Sequence, residues 1–179
     1  MINAALTDLL EGIAPVADDV DIECSGLQLD SRIVRPNDLY VGDGGADDRV
    51  DGFVREALES GAVAVLVDDS ATLGDDLLQQ RNVLFIPALA KNVGLIAARY
   101  FGFPSNNMLL VGVTGTNGKT SCCVMQAQLL ALLDVKTNYI GTLGAGALDE
   151  LAYTGFTTPP ADVLQKLLYR AYSLYELYR

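Results

Sequence analysis

Leu109-Leu110-Val111-Gly112-Val113-Thr114-Gly115-Thr116-Asn117-Gly118-Lys119-Thr120-Ser121 is the most informative stretch of the chain. An apolar run over 108–113 predicts a buried strand. A loop with two glycines follows, then Lys-Thr, then an apolar-faced helix predicted over 118–133. Strand, Gly-rich loop and helix in this order are the context a phosphate-binding loop requires. Glycine lets consecutive N–H groups turn inward around phosphate oxygens with no Cβ in the way. The helix start adds partial positive charge. Lys119 can reach the terminal phosphates, and the Thr120 hydroxyl can ligate Mg²⁺. The general pattern places a further Gly five residues before Gly118. That position is Val113, and Gly112 lies one place off. The bland alternative is an ordinary strand–turn–helix that uses Gly only to turn.

Working outward, the chain alternates between strand and helix. Leu6, Leu9, Leu10 and Ile13 recur at helical spacing over 3–12. Val20, Ile22 and Cys24, then Leu27 and Leu29, predict one strand bulged at Gly26. Further strands are predicted at 39–41, 62–67, 83–86 and 137–142, and helices at 53–60, 73–80 and 88–101. Gly42 to Gly52, rich in Gly and Asp, reads as a loop. Thr157-Thr158-Pro159-Pro160-Ala161-Asp162 predicts a helix start, with a Thr cap, Pro in the first turn and an acid near the positive end. The fold class is α/β: a small amino-terminal α/β domain, 1–105, then the start of a P-loop α/β domain, 106–179. Pro104-Ser105-Asn106-Asn107 marks the boundary. The second part supplies only two strands and two helices, fewer than a covered parallel sheet needs.

Composition narrows the function. The 179 residues are 50% hydrophobic and 20% charged, with a net charge of −11. This suits a packed core and argues against a nucleic-acid partner, which needs clustered Lys and Arg. There is no His, so His-assisted triads and His-ligated zinc are excluded. Cys24, Cys122 and Cys123 read as reduced thiols of a cytoplasmic chain. Cys122-Cys123 are expected as small buried residues behind the loop. No apolar run approaches the ~20 residues that span a bilayer, so no membrane partner is expected.

Beside that reading stands a resemblance. Thr114-Gly115-Thr116-Asn117-Gly118-Lys119-Thr120 resembles the ATP loop of the Mur ligases and the related folylpolyglutamate synthetases. Gly26-Leu27-Gln28-Leu29-Asp30-Ser31-Arg32, then Arg35-Pro36-x-Asp38-Leu39-Tyr40-Val41, resembles the amino-terminal domain of those Mur ligases that extend UDP-N-acetylmuramoyl-L-alanyl-D-glutamate. Gly52-Phe53, Ala57, Gly61-Ala62-x-Ala64-Val65-Leu66-Val67, Gly141-Thr142-Leu143-Gly144 and Thr157-Thr158-Pro159 continue the likeness in order, over about 26–165. The resemblance implies an ATP-dependent amide ligase of peptidoglycan precursor synthesis, working through an acyl phosphate. Its substrates would be the UDP-muramoyl-dipeptide and meso-diaminopimelate or L-lysine, with ATP and Mg²⁺ as cofactors; separately from the resemblance, a monomer is expected.

By the same carry-over, Gly115, Thr116, Asn117, Gly118, Lys119, Thr120 and Ser121 would hold ATP. Lys119 would be catalytic and Thr120 would be the metal ligand. Leu29 and Ser31 would meet the uridine, and Thr157 and Thr158 the muramoyl-peptide. Asp30 and Arg32 read as a structural pair. Two positions depart from the family pattern: its His-Gln-Ala triplet falls on Ala46-Asp47-Asp48, and the Asn before the Thr pair is Phe156. The family's later substrate contacts have no counterpart here, which reads as an amino-terminal, inactive piece of a longer enzyme. The other function class left open is a non-catalytic nucleotide-binding or scaffold module.

Overall fold

The computed structural model describes residues 2–17, 20–44 and 47–177. Two compact units divide the chain, Met1–Phe103 and Pro104–Arg179.

The first unit is built on four parallel strands: β3 (Gly26–Gln28), β4 (Asp38–Gly42), β5 (Ala64–Asp68) and β6 (Val83–Ile86), in that spatial order. Register is set by Leu27 opposite Leu39, Tyr40 opposite Val65 and Leu66 opposite Leu84. Near-continuous apolar runs suit a parallel sheet covered on both faces, and alternate residues sort to opposite sides. Tyr40, Val65, Val67 and Val83 pack with Val50, Val54 and Ala57 of α2 (Val50–Glu59) and Leu77 of α3 (Asp75–Leu78). Leu39, Val41, Ala64 and Leu66 point to the other face and are fully buried. There α4 (Leu89–Tyr100) and α1 (Leu6–Leu10) pack together. Arg99 donates to the Leu9 carbonyl at 2.9 Å and the Tyr100 hydroxyl to that of Ile2 at 3.0 Å.

Local chemistry ends and joins these elements. After α2, Gly61 takes φ +94°, its N–H donates to Leu58 and that of Ala62 to Ala57. This is the paired hydrogen bonding of a glycine-terminated helix. Asp51 accepts the Gly74 N–H at the start of α3, and Arg55 bridges Asp51 and Asp76, at 2.8 and 2.5 Å. Asp68, at the end of β5, accepts the first N–H of α4 from Leu89 at 2.9 Å.

The predicted strand over 20–29 is two. Here β2 (Glu23–Cys24) pairs antiparallel with β1 (Ala4–Ala5), whereas β3 enters the parallel sheet beyond Ser25. Pairing of Ala4 and Ala5 also shortens the predicted first helix to Leu6–Leu10. Gly26 is not a bulge. A methyl group there would overlap the Asp38 carboxylate, itself 5% exposed and accepting from Gln28 Nε2 and the Arg35 N–H.

The second unit holds α5 (Lys119–Ala131), a hairpin of β7 (Tyr139–Gly141) and β8 (Gly144–Gly146), and α6 (Ala161–Leu177). The strand predicted over 108–113 is absent: Leu109 is 91% and Val111 62% exposed, and the segment joins no ladder. An apolar run states a need for burial but does not supply a neighbour. Here β7 and β8 pair with each other, and β8 adds a single antiparallel bridge from Ala145 to Ala152. The helix over 161–177 begins after both prolines rather than around them, with Leu164 N–H bonded to the Pro160 carbonyl at 2.8 Å. Tyr169 and Tyr172 on α6 are half-buried and Tyr175 exposed; Tyr178 lies outside the described residues.

Candidate functional site

The loop before α5 folds around its glycines. Gly115 has φ +149° and Gly118 φ +79°. No atom lies within 4 Å of where a Gly118 Cβ would stand, so glycine serves the backbone angle there rather than space. Gly118 caps α5, and the first helical bond runs from Cys122 N–H to its carbonyl at 2.9 Å. The N–H groups of Lys119, Thr120 and Ser121 therefore have no acceptor within the helix. Lys119 turns back over the loop, its Nζ donating to the Gly115 carbonyl at 2.6 Å.

Together these groups line an open hollow of about 220 Å³, bounded by Thr116, Asn117, Gly118, Lys119, Thr120, Ser121, Thr142 and Thr157. Six of the seven residues expected at the loop line it; Gly115 contributes the carbonyl that Lys119 engages. Backbone donors, an ammonium group and hydroxyls give it the chemistry of an anion site. Its size is below the ~300 Å³ at which drug-sized ligand sites begin, which suits the phosphate end of a nucleotide. Among the described residues no three His, Cys, Asp or Glu side chains stand together as a metal site. Of the lining groups, the Thr120 hydroxyl is one that could hold a Mg²⁺ ion.

Thr157 faces the hollow. Thr158 does not line it, and Thr142, absent from the expected set, does. Thr142 Oγ1 donates to Thr157 Oγ1 at 3.3 Å. The signal for Thr142 lay in the Gly-Thr-Leu-Gly tetrapeptide, whose outer glycines pair across the β7–β8 turn and leave the Thr at its tip. Neither Thr caps α6, contrary to expectation, because two prolines separate them from its first turn. Cys122 is exposed and Cys123 half-buried, so neither is the buried apolar residue expected. Among the described residues nothing covers this part of α5, where Met125 and Leu129 are also exposed.

In the first unit, Leu29 is half-exposed beyond β3. Ser31 opens a single 3₁₀ turn, Ser31–Ile33, and is 4% exposed, with its hydroxyl donating to Glu56 Oε2. The sequence suggests an open hydroxyl, but α2 brings Glu56 over it. Asp30 caps that turn through the Arg32 N–H and pairs with the Arg32 guanidinium, which lowers its pKa. Of the Ala46-Asp47-Asp48 triplet, Ala46 lies outside the described residues. Asp47 is paired with Arg49 at 2.7 Å, which brings its pKa to about 2. Part of the acidic charge near this loop is thereby neutralised.

A search for relatives places these motifs in a family. The chain is 43% identical over 155 residues, 87% of its length, to a UDP-N-acetylmuramoyl-L-alanyl-D-glutamate--2,6-diaminopimelate ligase of Xanthomonas campestris pv. campestris. The chain belongs to the Mur ligase family. A ligase of the same name from Chromobacterium violaceum is 38% identical over 168 residues, 92% of this chain. This Mur ligase chain spans 30% and 34% of the length of those two relatives. Its fold matches a solved ligase of that name with a TM-score of 0.71 at 23% identity, covering 97% of this chain and 34% of the other. No family model matches the chain. No helix among the described residues is long and apolar enough to cross a membrane.

Proposed function

We propose that the hollow at the start of α5 takes the terminal phosphates of ATP, in an enzyme that joins meso-diaminopimelate or L-lysine to UDP-N-acetylmuramoyl-L-alanyl-D-glutamate. The observation that carries this reading is the Lys119 ammonium folded back on Gly115, 2.6 Å from its carbonyl, beside three N–H groups that have no acceptor within their helix. An arriving phosphate offers that ammonium a charged acceptor in place of a neutral one, and charge-assisted bonds are roughly twice as strong. In the reaction, the D-glutamate carboxylate oxygen attacks the terminal phosphorus and the bond to the departing diphosphate oxygen breaks. The diamino acid's amine then attacks the acyl carbon, inorganic phosphate leaves and the amine loses a proton. The first step brings two anions together, so positive charge and fixed dipoles lower its barrier. Lys119 and the amides of Thr116 to Ser121 supply them, and a Mg²⁺ ion held by Thr120 would add further positive charge.

The first unit, to about residue 105, is the proposed UDP-substrate domain, and the remainder belongs to the nucleotide domain. Leu29 offers an apolar surface to the uracil face. Ser31, its proton committed to Glu56, has only acceptor capacity left, which matches an N–H donor on a uracil ring. Thr157 and Thr158 meet the muramoyl-peptide. Support comes from the names of the relatives and from Thr157 facing the phosphate hollow.

Calorimetric titration with Mg-ATP tests the reading. Lys119→Ala should weaken binding about tenfold or more, as expected for loss of a charge-assisted hydrogen bond. Equal affinity of the variant and the parent chain would remove Lys119 from the phosphate site.

A further inference from the structure

Opposite the phosphate loop, the hollow is walled by two hydroxyls from separate segments, Thr142 at the β7–β8 turn and Thr157 before α6. Both residues are exposed, and their Oγ1 atoms meet at 3.3 Å. That is long for a hydroxyl pair, which prefers 2.5–3.0 Å, so little is lost when an anion takes over both protons. The hairpin that carries Thr142 is fixed by main-chain bonds. Gly141 pairs with Gly144 across the turn, and Ala145 exchanges two hydrogen bonds with Ala152, at 2.9 and 3.0 Å. Gly144, at φ +130°, lies so close to the Ala152 carbonyl that no side chain would fit there. The hairpin and the segment at Ala152 are therefore joined by main-chain bonds, and the Thr142 hydroxyl at the turn can rotate without moving them.

We propose that Thr142 is a ligand-binding residue for the terminal phosphoryl group, holding it against Thr157, where the acceptor carboxylate enters. This rests on the nucleotide reading of the hollow given above. Loop amides and Lys119 grip a polyphosphate from the α5 side. A hydroxyl on the opposite wall meets the outermost oxygens, which a triphosphate has and a diphosphate at the same loop does not. Thr142 thus discriminates ATP from ADP, and its contact with Thr157 brings the phosphoryl donor and its acceptor to one point.

Titration of the full 179-residue chain with Mg-ATP and with Mg-ADP decides the matter, comparing Thr142→Val, Thr142→Ser and Lys119→Ala. Thr142→Val should raise the Kd for Mg-ATP about tenfold, the loss of one hydrogen bond to a charged group, and leave Mg-ADP within about twofold. Thr142→Ser, which keeps the hydroxyl, should restore the preference. Should valine disturb the hairpin, as circular dichroism would reveal, the smaller Thr142→Ala carries the same expectation. If Thr142→Val weakens both nucleotides equally or neither, while Lys119→Ala weakens both, the role of Thr142 is refuted and the nucleotide site stands. If Lys119→Ala binds both like the parent chain, or the parent chain binds neither, the site and the inference fall together.

Discussion

At the scale of single residues, two positions show how one atom group can be decisive. Gly26 leaves room for the Asp38 carboxylate, which ties together β3, β4 and the Arg35 turn through Gln28 Nε2 at 3.1 Å and the Arg35 N–H at 2.9 Å. Gly26→Ala must displace a buried carboxylate from its partners. Overpacking of this kind costs about 1–3 kcal/mol. A urea melt should show the midpoint falling at unchanged slope. A change below a few tenths of a kcal/mol would mean that Asp38 relocates freely. Ser31 is the second such position. Ser31→Ala leaves the Glu56 carboxylate without its donor and removes the proposed acceptor, so affinity for UDP-N-acetylmuramoyl-L-alanyl-D-glutamate should drop, read by calorimetry. Unaltered affinity, with the variant folded, would take Ser31 out of the site and leave it the turn-holding role its burial already indicates.

Between elements, charge pairs add to the joining that apolar packing begins. Arg55 on α2 reaches Asp51 on its own helix and Asp76 on α3. The guanidinium lowers the Asp76 carboxyl from its ordinary 3.8 to about 2, and Arg49 lowers that of Asp47 to about 2. A carboxylate with a depressed folded-state pKa stabilises the fold above the unfolded value and ceases to do so as pH falls through the folded one. Denaturant midpoints should therefore hold above about pH 4 and decline between about pH 4 and pH 2. Asp76→Asn should make that decline shallower. Because these pairs are exposed, salt should weaken the effect. An acid limb identical in the variant would show that Arg55 organises the α2–α3 contact without contributing to stability. Burial works in the opposite sense on neutral acids: Cys24, 1% exposed on β2 beside β1, has its thiol pKa pushed up to about 11. It should resist alkylation in the folded chain, while Cys122, exposed on α5, reacts first.

For the molecule as a whole, nucleotide binding should be a property of the second unit. Mg-ATP binding stabilises what it touches. In hydrogen exchange, amides of Lys119, Thr120 and Ser121 and those around Thr142 should gain protection, while β4 and β5 stay as they are. Protection confined to the first-unit sheet would place the nucleotide elsewhere.

The sequence alone determined the α/β alternation, a helix expected over 88–101 with Leu89, Val93, Ile96, Ala97 and Tyr100 on one face, the end of α2 at Gly61, and the loop about Gly115 and Gly118. Each of these is local: a period of buried residues, a glycine at positive φ, a Lys one turn from its own loop. Tertiary structure alone decided that 20–29 serves two sheets, that Glu56 closes over Ser31, that Thr142 joins the hollow, and that 108–113 pairs with nothing among the described residues. Those outcomes depend on which distant segment arrives alongside. A hydrogen-bond partner or a covering layer is a fact about neighbours in space, and hydrophobic pattern records only the demand for one.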